Sequence, residues 1–153
     1  MNYILPTWMT NPTIWSAVFA WLLAQVIKMS FFFARTRRIN FAYLVSTGGM
    51  PSAHSAFVSA LATSVALRVG MADPLFALAL AFALVVMFDA QSVRRAAGMQ
   101  ARVLNQIVDE LFKTRRVTER RLVELLGHTR LEVFFGMLIG VFVAILVHSF
   151  IIR

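Results

Sequence analysis

The sequence holds three histidines, and two of them stand beside groups that could act with them. His54 closes the run Pro51-Ser52-Ala53-His54, just where an apolar segment begins, and His128 opens His128-Thr129-Arg130-Leu131-Glu132. At i+4 on a helix, Glu132 shares a face with His128 and can accept the Nδ1 proton, which leaves Nε2 as the nucleophile. Lys28, Arg35, Arg94 and Arg95 bring cations to the neighbouring segments. Such a set suits phosphoryl transfer. Guanidinium groups hold phosphate oxygens in bidentate fashion and stabilise the charge spread over the transition state. One imidazole attacks phosphorus while the other protonates the leaving oxygen. Ser52 is placed to N-cap the helix that follows, where backbone N–H groups can meet an anion.

These residues act together only if the chain brings them together. Four apolar segments run over about 13–34, 53–70, 74–91 and 131–152. A crossing needs ~20 apolar residues; the outer two segments reach that length, the second is short, and the third reaches it only with its polar end. The turn residues of "RVGMADP" join the middle pair into a helical hairpin. In the polar stretch 89–130, Val93, Ala96, Ala97, Gln100, Leu104, Ile107, Val108 and Leu111 recur at helical spacing with charges opposite. They predict an amphipathic helix lying on the membrane or on the bundle. "KTRR" breaks it, and a shorter helix follows over 118–126. The expected fold is all-α: one integral membrane domain over 1–153, with about four transmembrane helices, a cytoplasmic amphipathic helix and a short helix.

Composition agrees. Hydrophobic residues make up 59% and charged residues 14%, too much apolar surface for so small a chain to hide in its own core, so lipid must solvate part of it. The net charge of +8 is carried between the apolar runs. The partners it implies are the lipid bilayer, with its anionic headgroups, and a phosphorylated lipid substrate rather than nucleic acid. The absence of cysteine excludes disulfides and thiolate metal sites. "MNYILPTWMTNP" has no basic n-region, so no removable leader is expected.

The basic residues also give an orientation. Arg35, Arg37 and Arg38 follow the first segment, and Arg94, Arg95, Arg102, Lys113, Arg115, Arg116, Arg120, Arg121 and Arg130 lie between the third and fourth, whereas the hairpin turn has only Arg68. The basic loops are expected on the cytoplasmic side of the inner (cell) membrane, with both termini outside. The cytoplasmic mouth then collects Lys28 and Arg35, Pro51, Ser52 and His54, Asp89, Arg94 and Arg95, and His128 and Glu132. The opposite end offers Arg68, Asp73 and a His148 that reads as interfacial and inert. Asp89 is expected to neutralise Arg94 or Arg95, Lys28 alone fits snorkelling equally well, and Ser55, Ser59, Thr63 and Ser64 read as small packing residues. Gly136 and Gly140 form G-x-x-x-G, a close-contact motif that also offers a face for a homodimer.

The pattern resembles the type 2 phosphatidic acid phosphatase superfamily, which includes vanadium haloperoxidases and lipid phosphatases, and within it a divergent bacterial and plastid branch. Its first motif, K-x6-R-P, is matched by Lys28 and Arg35, with Thr36 in place of proline. P-S-G-H is matched by Pro51-Ser52-Ala53-His54, and H-x3-D by His128 and Glu132. The arginine that should precede the last motif falls at Leu122; Arg94 and Arg95 of "FDAQSVRRAAG" are the candidate replacements. "STGGMPSAHSA", "VRRAAG" and "LLGHTRLEV" point to the divergent branch. The resemblance implies a metal-independent, cofactor-free lipid phosphatase. In it His128 is the nucleophile, His54 the general acid, Glu132 the partner of His128, and Lys28, Arg35, Ser52 and Arg94 or Arg95 the phosphate clamp. Phosphatidylglycerol phosphate is the favoured substrate and undecaprenyl diphosphate its rival. Two other classes share these residues: a carrier that binds an anionic lipid without turnover, and a metal site on His54, His128 and Glu132.

Overall fold

A computed structural model describes residues 7–37, 49–111 and 127–151. The short helix expected over 118–126, together with Arg38, Lys113, Arg115, Arg116, Arg120 and Arg121, lies outside the described residues. After a 3-10 turn at Thr7–Thr10 come α1 (Pro12–Thr36), α2 (Ala53–Val69), α3 (Pro74–Phe88), a π-helical turn (Asp89–Val93), α4 (Arg94–Leu111) and α5 (Arg130–Ile151). Each membrane helix starts where its sequence supplies a cap. Asn11 Oδ1 accepts the Thr13 N–H at 3.0 Å with Pro12 in the first turn, and Asp73 Oδ1 accepts the Leu75 N–H at 2.7 Å with Pro74 in the first turn. Ser52 caps α2, and Thr129 caps α5. Gly70, at φ 89°, ends α2 and begins the hairpin turn to α3.

Among the described residues three helices are long and apolar enough to cross a membrane: Pro12–Thr36, Pro74–Asp109 and Arg130–Phe150. α2 is shorter, its 17 residues spanning about 26 Å at 1.5 Å each against a hydrocarbon core of about 30 Å. The third crossing and the amphipathic helix are joined without a loop, because the π turn carries α3 directly into α4.

α2 is the central strut, packing on α1, α3 and α5, while α1 also packs on α5. The seams are made of small side chains. Ala20 and Ala24 meet Ala53, Ala56 and Ala60 and then Val143 and Ala144; on its other side α2 offers Val58, Ala62 and Val65 to Ala79 and Ala83. Lipid leaves no hydrophobic drive between helices, so close backbone approach and dispersion must hold them. At Gly136 and Gly140 a Cβ would overlap the carbonyl oxygens of Ser52 and Ala56. The G-x-x-x-G face is therefore occupied inside the chain by α2 and is not left for a second copy. Large side chains such as Leu78, Val85, Phe88 and Phe142 point outward, as they should toward lipid.

Candidate functional site

Of the residues expected at one mouth, those of α2, the π turn and α5 meet. Ser52 N–H donates to the Glu132 carbonyl at 3.0 Å, and His128 N–H donates to the Ala90 carbonyl at 2.8 Å, so the ends of α2, the π turn and α5 are tied together. A π turn shifts its hydrogen bonds to i+5, and such turns gather at functional sites; here its Ala90 carbonyl takes the His128 N–H.

His128 is 3% exposed, and its Nδ1 lies 3.0 Å from Glu132 Oε2. An ionised carboxylate can only accept, so Nδ1 carries a proton, and in the neutral ring the lone pair is on Nε2. The local structure differs from the expected helix face: α5 begins at Arg130, and Glu132 reaches back over the helix start. It does so through a reciprocal cap, Thr129 N–H donating to Glu132 Oε2 at 3.0 Å and Glu132 N–H donating to Thr129 Oγ1 at 3.3 Å. Gly127, at φ 94°, turns the chain into it. Thr129 was not singled out from sequence, although T-x-x-E before an apolar run is the signature of such a cap.

His54 sits in the first turn of α2, half-buried, with its ring centroid 6.3 Å from that of His128. Ser52 is fully buried, and its Oγ accepts from the Ser55 N–H at 3.4 Å and the Ser55 hydroxyl at 3.0 Å. With its own N–H on Glu132, Ser52 joins α2 to α5; that N–H is not among those open to an anion at the helix start.

Lys28 extends the buried stripe Ala17, Ala20, Ala24 of α1 and is 3% exposed, within electrostatic range of Glu132. It is enclosed rather than snorkelling. Gly49, at φ 92°, turns the chain over its alkyl stem. Lys28 and Arg35, seven residues apart on one helix face, line a cavity of about 570 Å³ with Phe31, Phe32, Gly49 and Met50. Arg35 itself is exposed. Arg95 is exposed on the first turn of α4; the Arg94 side chain lies outside the description. Among the described residues no three His, Cys, Asp or Glu side chains are grouped to hold a metal ion, so the metal alternative has no site there.

At the far end of the bundle His148 is buried and hydrogen-bonded rather than interfacial. His148 is 9% exposed, with Nε2 2.7 Å from Ser64 Oγ, which lies 3.0 Å from Thr13 Oγ1. Arg68 donates to Thr13 Oγ1 at 3.4 Å and to Asn11 Oδ1 at 2.8 Å. The Ser64 hydroxyl donates to Thr13 Oγ1, so Thr13 accepts from both Arg68 and Ser64, and the Ser64 oxygen is left to accept from the His148 Nε2–H.

The family described as "Divergent PAP2 family" matches residues 9–143. A Bacillus subtilis (strain 168) protein named "Uncharacterized membrane protein YuiD" is 40% identical over 153 residues, covering 93% of this chain and 97% of that one. No solved structure matches.

Proposed function

The chain belongs to the Divergent PAP2 family, and on that premise we propose that it is a membrane phosphatase that releases phosphate from a phosphorylated lipid through a phosphohistidine. The observation that carries this is the His128 Nδ1–Glu132 Oε2 contact at 3.0 Å, with the His54 ring beside it. The Nε2 lone pair of His128 attacks phosphorus. The N–P bond forms, the P–O bond to the lipid breaks, and His54 gives its proton to the departing oxygen. Neutral His54 then takes a proton from water as the water oxygen attacks phosphorus, and the N–P electrons return to His128. Glu132 remains an acceptor throughout and holds the tautomer. Lys28 and Arg35 offset the phosphate charge, Arg94 or Arg95 adds to the clamp, and Ser52 holds the frame. The basic loops favour a site on the cytoplasmic side of the inner membrane, and hence a substrate made there, with phosphatidylglycerol phosphate ahead of undecaprenyl diphosphate.

The test is phosphate release by the purified protein in mixed micelles with EDTA, offered phosphatidylglycerol phosphate, phosphatidic acid and undecaprenyl diphosphate. Release that survives chelation, stops with vanadate and is lost in His128→Ala is expected; no release from any of the three would sink the reading. Binding without turnover is the second reading. It is favoured by one observation, that Arg35 and Arg95 are both exposed while Lys28 is enclosed beside Glu132. It expects His128→Ala to bind these lipids as wild type does.

A further inference from the structure

His54 faces two different surroundings. On one side are His128 and the end of the bundle where Lys28 and Arg35 line their cavity. On the other, His54 is the polar head of a groove of about 420 Å³ whose remaining walls are Trp21 of α1, Phe57 and Val58 of α2, and Phe82 and Val86 of α3. The groove exists because α1 and α3 each pack on α2 rather than on one another, which leaves an open cleft above that stretch of α2. It runs inward from the mouth. Val58 lies one turn, about 6 Å, beyond His54, and Phe82 lies one turn deeper than Val86 on the antiparallel α3. Trp21 is seven residues, about 10 Å, deeper than Lys28 on the same face of α1.

The chemistry of the pair says which part of a substrate belongs on which side. A proton donor must stand beside the leaving oxygen, so the leaving group departs on the side of His54. That side is walled by aromatic and aliphatic groups and opens toward lipid, whereas the cations stand with the other cavity. We infer that the groove headed by His54 holds the first stretch of a hydrocarbon chain on the leaving group, entering sideways from the bilayer. At about 420 Å³ the groove has room for the first stretch of such a chain. The leaving group is therefore a hydrophobic alcohol or lipid phosphate, and the walls of the groove, Phe57, Phe82 and Val86 foremost, set discrimination among chains. This inference rests on the proposed phosphatase role for the assignment of donor and leaving group.

Photolabelling separates the two ideas. Dodecyl phosphate carrying a diazirine midway along its chain would be irradiated with the full chain in mixed micelles, both wild type and His128→Ala, and the labelled residues mapped by mass spectrometry. Labelling of Trp21, Phe57 or Phe82 in both proteins, competed by unlabelled dodecyl phosphate, is expected. Label found only elsewhere on the lipid-facing surface, or label that does not compete, would overturn the groove, even with phosphate release intact. Labelling of the groove without release from any lipid would uphold the groove and sink the phosphatase. In a working enzyme, Val86→Trp should lower the kcat/KM ratio of dodecyl to ethyl phosphate by about tenfold or more; an unchanged ratio counts against the groove.

Discussion

Glu132 does two jobs with one oxygen. Its Oε2 fixes the Nδ1 proton of His128 and accepts the Thr129 N–H that caps α5. Two substitutions pull these roles apart. Glu132→Gln keeps the size and an acceptor but removes the charge that stabilises an imidazolium, and an amide can donate where the tautomer needs an acceptor. Phosphate release should fall by about 10²-fold or more with little change in KM, as expected where a wrong tautomer disables a positioned imidazole. Thr129→Ala should mostly lower stability, by about 1 kcal/mol, since a lost cap costs that much. A Thr129→Ala protein with unchanged thermal midpoint but tenfold slower turnover would assign the hydroxyl to chemistry instead. The pairing of His128 with Glu132 was legible in sequence because four residues of chain bring such groups together almost regardless of the rest of the fold. The phosphate clamp was not legible to the same degree. Whether an arginine reaches the pair depends on where the start of α4 sits, and no local spacing encodes that.

At the scale of elements, the site depends on how closely α2 lies on α5. Gly136 and Gly140 let the carbonyls of Ser52 and Ala56 approach the α5 backbone, and the same seam sets His54 against His128. Gly136→Ala forces the seam apart at the site, while Gly140→Ala does so one turn away. Each should cost about 1–3 kcal/mol as an overpacked contact, but Gly136→Ala should lose more kcat. Equal losses of stability with equal kcat would show that the seam does not set the histidine spacing. The far end has its own fastening, from Arg68 through Thr13 and Ser64 to His148. Ser64→Ala breaks it in the middle and should lower stability in micelles by about 1 kcal/mol, leaving the KM for lipid phosphate where it was. The hairpin of α2 and α3 could be read from its Gly, Asp and Pro, all within a few residues. The Ser64–His148 contact spans 84 positions, and each partner alone looks like an ordinary packing or interfacial residue, so only the folded bundle reveals it. The π turn carries no periodic signal either; its Ala90 carbonyl matters because a residue far along the chain uses it.

At the scale of the whole molecule, the arrangement of charge makes a prediction about sidedness. The described helix ends fall into two groups: Arg35, Ser52, Asp89 and Arg130 at the histidine end, and Asn11, Arg68 and His148 at the other. Cations in short loops are retained on the cytoplasmic side, and most of them belong to the histidine end. Because the chain has no cysteine, a single introduced thiol reports its own location without any background to remove first. Asp73→Cys, in the hairpin turn, should react with a membrane-impermeant maleimide added to intact cells. Arg95→Cys, at the start of α4, should react only after the membrane is opened. The reverse pattern would put the histidine pair on the outer face, and the substrate would then be a lipid phosphate displayed there, with undecaprenyl diphosphate replacing phosphatidylglycerol phosphate as the first choice. The chemistry would be untouched by that inversion, since it depends on groups held together by α2, the π turn and α5. Sidedness decides which lipid arrives, and the groove beside His54 decides how its chain is held.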